Sequence, residues 1–155
     1  MYDKILVPVD GSEHSLKALG VAAEIAKKFG GKITLIHVYS VAMAPVIVPE
    51  PATMTPTGAP YMMSVEMSKA LEAAKRAGNR ILVEAEEKIK AEEISVETVL
   101  KEGHVVQEII KAAKEGDFKL IVIGARGVSH IREFLLGSVT DGVIHHAACP
   151  VLVVK

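Results

Sequence analysis

Short apolar, β-branched runs alternate along this chain with stretches of helical periodicity, and that alternation constrains the fold more than any other feature. Residues 5–9 form such a run, and residues 12–29 then place Leu16, Leu19, Ala23 and Ala26 at helical spacing before Gly30 and Gly31 end the pattern. Residues 32–38, "KITLIHV", read as a second strand. A helix is expected over residues 64–93, with Met67, Leu71, Ala74, Ile81, Ala85 and Ile89 approximating one face. Residues 94–100 alternate as a partly exposed edge strand would. A helix over about 104–114, the strand "FKLIVIG", a helix over about 137–147 and a last strand "PVLVV" complete the pattern. Strands alternating with helices imply right-handed crossovers and a parallel sheet covered on both faces. The fold class is therefore α/β, a doubly wound five-stranded parallel sheet. An alternating third strand and apolar first and fourth strands favour the order 3-2-1-4-5. In that order the ends of strands one and four meet at the reversal point, where ligands of such sheets bind.

Composition narrows the possible partners. A length of 155 residues suits one domain, residues 1–155, and hence one main site. The 18 basic and 19 acidic side chains nearly cancel, which argues against nucleic acid held by bulk charge. Three Phe, three Tyr and no Trp give little stacking surface for single strands. Cys149 has no partner for an internal disulfide and fits a reducing compartment. The first residues, "MYDKILVPVD", hold too short an apolar run for a signal peptide or membrane span, so a cytoplasmic location without membrane partners is expected. Five of the seven prolines fall between Met43 and Met63, where Glu50 is the only charge. That composition marks a flexible loop at about 40–63, and the Met-rich stretch 43–67 is a lid, a partner surface or a disordered segment.

Two unusual stretches sit at the converging strand ends: "VPVDGS" after strand one and "GARGVSH" after strand four. Gly124 and Gly127 are read as turning with positive φ and letting backbone N–H groups cup an anion. Gly137 and Ser138 open a helix whose free N–H groups favour phosphate. The spacing Gly-x2-Gly-x9-Gly-Ser thus supplies two phosphate cradles, although a tight turn plus an ordinary helix start would leave the same residues. Asp10 beside phosphates must bind a nucleoside group or a metal-held water, or else cap the first helix, a role Ser12 could take instead. Arg126 pairs with phosphate or is a solvated loop residue. Ser138 is a phosphate ligand, an N-cap, or both. His130 reads as a surface residue, and His145 and His146 point about 100° apart on a helix, which does not suit one metal.

The glycine pattern, the opening "KILVPVDGSEHSLKAL" and the ending "LLGSVTDGVIHHAACPVLVVK" resemble the universal stress protein family in its ATP-binding branch. The resemblance covers nearly the whole chain. It implies adenosine near Pro8, Val9, Asp10 and Val38. It implies a triphosphate on Gly124, Arg126, Gly127, Gly137, Ser138, Val139 and Thr140, with Ile123 among the cofactor contacts. ATP, with Mg²⁺ or Mn²⁺, is the cofactor expected. Ala125 stands where the family usually has Ser or a similar residue, a change that leaves the backbone cradle intact.

An ATP site does not make an ATPase. The chain has no Gly-x4-Gly-Lys-Ser/Thr loop, and no catalytic residue is assigned, so a regulatory or stress-response switch with at most weak hydrolysis is expected. The alternative is an adenine nucleotide hydrolase or nucleotidyl transferase, whose Ser-Gly-Gly-x-Asp-Ser loop is replaced here by "VDGSEHS". A nucleotide-free interaction module fits the glycine motif least. The last strand is an apolar edge lacking blunting charges, so it is expected either to pair with a second copy, as the family's dimers resemble, or to be shielded by the final helix. A downstream protein partner is expected but not named.

Overall fold

The structure, a computed structural model, describes residues 1–40, 59–128 and 136–155. Its elements run β1 (Lys4–Pro8), α1 (Glu13–Phe29), β2 (Lys32–Tyr39), α2 (Ala59–Ile89), a single 3₁₀ turn (Lys90–Glu92), β3 (Val96–Glu102), α3 (Val105–Glu115), β4 (Leu120–Gly124), α4 (Ser138–His146) and β5 (Val151–Val154). All four strand pairings are parallel and the order is β3-β2-β1-β4-β5, as expected from the sequence pattern.

The sheet is buried on both faces because its central strands, after Lys4 of β1, are apolar. In β1, Ile5 and Val7 join one apolar cluster and Leu6 the other. In β4, Leu120 and Val122 face the first cluster, Ile121 and Ile123 the second. A period of two on both faces at once is what a parallel sheet with helices on each side requires. Helices α1 and α2 supply Leu19, Ala22, Ala26, Leu82 and Ala85 to one face, and α3 and α4 supply Ile109, Ala113 and Val143 to the other. The helices change face where the strand order reverses, between β1 and β4. Each fully buried Ile or Leu there contributes about 1.5–3 kcal/mol. At the sheet's edge β3 is mostly exposed or half-buried, as its mixed composition predicts.

The helix ends explain how the chain enters and leaves the carboxyl edge. Ser12 caps α1, its hydroxyl accepting from the Ser15 N–H at 3.2 Å, and Gly30 ends the helix in the left-handed conformation at φ 65°. α2 begins at Ala59 rather than at residue 64, because Pro60 is tolerated in a first turn, where its missing N–H is not needed. At 31 residues α2 is about 46 Å long, far longer than any strand it packs against. None of residues 65–77 is buried, and Gly78 is the first position in that stretch to enter the core. Residues 41–58, most of the segment read as a loop, lie outside the described residues, as does His130.

Candidate functional site

Asp10 organises the point where β1 ends. Its Oδ1 accepts from the Ser12 N–H at 3.0 Å and from the Ser12 hydroxyl at 2.5 Å. Its Oδ2 accepts from the Val128 N–H at 3.2 Å, a bond spanning two segments far apart in sequence. Ser12 is the cap of α1 and Asp10 holds that cap, so the helix-cap reading of Asp10 itself is corrected. The carboxylate is a clamp between the start of α1 and the segment after β4.

That segment is framed by its own backbone. The Ala125 N–H donates to the Val154 carbonyl at 2.7 Å, and the Ala125 carbonyl accepts from the Gly137 N–H at 2.8 Å. The Thr140 hydroxyl, buried, donates to the Gly124 carbonyl at 2.7 Å and ties the first turn of α4 to the end of β4. Ala125 is itself buried, so a hydroxyl in its place would need a partner inside the frame.

The glycines are required by close approach rather than by turn conformation. The positive-φ glycines among the described residues are Gly11, Gly30 and Gly103, so the positive φ expected at Gly124 and Gly127 does not occur. A Cβ on Gly124 would lie 2.6 Å from the His14 carbonyl carbon, inside the backbone of α1. On Gly127 it would lie 2.5 Å from Asp10 Oδ2, inside the clamp. Gly137, at φ −65°, is the N-cap of α4 and has no side chain with which to cap it. Ser138 is therefore the first residue within the helix and not its cap, and the N–H groups of the first turn are left facing outward from the helix end.

These parts surround one cavity of about 500 Å³ at the carboxyl edge of the sheet. All twelve residues singled out from the sequence line it: Pro8, Val9, Asp10 and Val38 from β1 and β2, Ile123, Gly124, Arg126 and Gly127 at the end of β4, and Gly137, Ser138, Val139 and Thr140 at the start of α4. Ser15, Ile36, His37, Ile81, Val105, Ile109 and Val128 also line it and were not foreseen. Ile81 belongs to the apolar face of α2, which periodicity alone reads as core. His37 adjoins Val38 in the strand and, among the described residues, carries the only imidazole in the lining, a signal that sequence reading passes over. One end of the cavity is thus apolar (Ile36, Val38, Val105, Ile109) and the other is built of glycine backbone and a helix N-terminus.

The histidines at the far end of α4 serve the helix. Nδ1 of His145 lies 2.8 Å from the Asp141 carbonyl and Nδ1 of His146 2.8 Å from that of Gly142, where each must donate because a carbonyl only accepts. Burial pushes the Cys149 thiol above its ordinary pKa. No helix among the described residues is long and apolar enough to cross a membrane.

With this geometry in view, the match to known proteins is direct: the family model described as the universal stress protein family covers residues 1–155. The chain belongs to the universal stress protein family. Universal stress protein YxiE of Bacillus subtilis is 35% identical over 155 residues, covering 100% of both chains. Universal stress protein UspA from Lactobacillus plantarum has a similar structure, with a TM-score of 0.80 and 26% identity over 99% of this chain and 98% of that one. A universal stress protein in complex with cAMP matches with a TM-score of 0.67 and 28% identity, over 99% of this chain and 97% of that one. One from Archaeoglobus fulgidus in complex with dAMP matches at 0.62 and 25%, over 99% and 98%.

Proposed function

We propose that this universal stress protein binds an adenine nucleotide, ATP, in the cavity between β1 and β4, and works as a nucleotide-dependent regulatory switch with at most slow hydrolysis. The observation that carries the reading is that one cavity is lined both by apolar side chains, Ile36, Val38, Val105 and Ile109, and by the glycines after β4 with the first turn of α4. An adenosine has an apolar flat base to bury, and a triphosphate needs oriented donors without a large desolvation cost. Pro8, Val9 and Val38 with Ile36 and Ile109 suit the base. Gly124, Arg126, Gly127, Gly137 and the first turn of α4, residues Ser138, Val139 and Thr140, suit the phosphates, and Ile123 also lines the cavity. Two family relatives solved with cAMP and dAMP support an adenine ligand.

Asp10 bears on the metal and on turnover. Its Oδ2 accepts one backbone N–H and keeps capacity for a ribose hydroxyl or for a metal ion. Mg²⁺ is commonly held by one or two carboxylates together with substrate phosphates, so Asp10 fits an ion carried in by ATP. Mg²⁺ or Mn²⁺ there would neutralise phosphate charge. The same carboxylate is already committed to the Ser12 and Val128 contacts, which suits holding the loop better than deprotonating water. Slow turnover follows.

The remaining parts of the reading are one domain over residues 1–155, a cytoplasmic setting, a homodimer joined through β5, and a protein partner that is not named. The edge position of β5 and the 37% exposure of Leu152 favour the dimer. The nucleotide reading is tested by mass spectrometry of small molecules released on denaturation, followed by calorimetric titration of ATP with Mg²⁺ into the emptied protein. Intact ATP and one site per chain are expected; no nucleotide and no heat would overturn it.

A further inference from the structure

A side chain of β2 takes over a hydrogen bond that the sheet would otherwise make, and this opens the base end of the cavity. In a parallel ladder, alternate residues of a strand address opposite neighbours. Ile33 and Tyr39 of β2 bond toward the β3 side, through Ile33 N–H to the Ser95 carbonyl and the Gly103 N–H to the Tyr39 carbonyl, at 2.9 and 3.1 Å. Ile36 bonds toward β1, its carbonyl accepting from the Val9 N–H at 2.9 Å. Val38 therefore also addresses the β1 side. The pairing of β1 with β2 runs from Lys4↔Lys32 to Pro8↔Ile36, and one further step would pair Val9 with His37 by donating the Val38 N–H to the Val9 carbonyl.

That step is not taken. The Val9 carbonyl accepts instead from Nδ1 of His37 at 2.7 Å. Because a carbonyl only accepts, Nδ1 must carry the proton. Among the described residues the Val38 N–H then has no backbone acceptor, and Val38 lines the cavity. The ring is held in this position from behind: a Cβ on Gly78 of α2 would lie 2.7 Å from His37 Cδ2 and 2.8 Å from Leu100 Cδ1, so the helix lies close against the imidazole.

We infer that His37 is a positioning residue for ligand recognition: by satisfying the Val9 carbonyl with its side chain it stops the β1–β2 ladder one step short and reserves the Val38 N–H for the edge of a bound adenine. An adenine ring nitrogen is an acceptor for that N–H, and the inference, which concerns the role of His37, rests on the nucleotide reading above. His37 itself need not touch the ligand. Replacing it acts through Val38.

The test compares His37→Leu, which removes the donor, with His37→Asn, whose amide nitrogen stands close to where Nδ1 was. In the free wild-type protein the Val38 amide exchanges with solvent deuterium readily, and ATP protects it. In His37→Leu the Val38 N–H is expected to close onto the Val9 carbonyl, giving protection without ligand and weakening ATP by about ten-fold, the worth of roughly one hydrogen bond. Binding of inorganic tripolyphosphate stays unchanged, and His37→Asn restores both the exchange and the affinity. Unchanged Val38 exchange and unchanged ATP affinity in His37→Leu would overturn the inference. If that variant does not fold, His37→Ala, which also lacks the donor, takes its place: a protected Val38 with a ten-fold loss of ATP supports the donor role, and unchanged exchange and affinity overturn it. Absence of any ATP binding to the wild type would sink the nucleotide reading separately, with Val38 exchange in the free proteins still deciding the role of His37.

Discussion

The two ends of the cavity are built by different means. At the glycine end, backbone segments from β4, α1 and α4 come so close that side chains are excluded: Gly124 lies against His14, Gly127 against Asp10. At the base end, side chains do the work: His37 holds Val9, and Ile36, Val38 and Ile109 form the wall. The first is rigid because atoms would collide, the second because a specific donor is in place. Substitutions at the glycine end should therefore cost stability or the whole site, while those at the base end should cost affinity alone.

The largest effect is expected at Gly124. A Val there would put Cβ into the α1 backbone, so Gly124→Val should destabilise the fold by about 3 kcal/mol or more, read by chemical denaturation. An unchanged midpoint would break the contrast by showing that α1 can yield. Next comes Gly127→Val, whose Cβ would meet the Asp10 carboxylate rather than a helix. This variant should fold but lose ATP binding by about 100-fold, about 2.7 kcal/mol, as the clamp to Val128 opens. Retained affinity would overturn the assignment of the glycine end to phosphate.

A smaller loss follows at the joint between the ends. Thr140→Val keeps the shape of the side chain but leaves the buried Gly124 carbonyl without its hydroxyl donor, at a cost of about 1–3 kcal/mol in stability. Ser12→Ala should cost about 1 kcal/mol through the lost cap, with a modest drop in ATP affinity because Asp10 loses a donor. If Ser12→Ala lowered affinity more than Gly127→Val, Asp10 would be a ligand first and a clamp second, and the comparison would need redrawing.

The same contrast governs what the sequence reveals. The strand order is legible because β1 after Lys4 and the whole of β4 are apolar while β3 mixes charged and apolar residues, and that difference places them at centre and edge. The glycine end is legible because residues that cannot be replaced without collision are recognisable by type. Even so, the sequence points to the wrong reason for Gly124 and Gly127: close approach to α1 and to Asp10 is a property of packing between distant segments, and positive φ is the local property that sequence suggests first. The role of His37 is not legible at all. Periodicity places it on a strand next to Val38, but the exchange of a ladder bond for a side-chain bond depends on where β1 turns away and on how α2, through Gly78, lies against the ring. Ile81 was hidden for a related reason, since one helix face serves both core and cavity.

One measurement tests the two-ended site most directly: amide chemical shifts of the full chain, followed by two-dimensional NMR while ATP, adenosine and tripolyphosphate are each added to the nucleotide-free protein. ATP is expected to shift Val38 together with Gly127, Ser138 and Val139, adenosine to shift Val38 alone of these, and tripolyphosphate to shift the other three alone. Shifts in all four with either fragment, or in none with ATP, would contradict a cavity divided between base and phosphate.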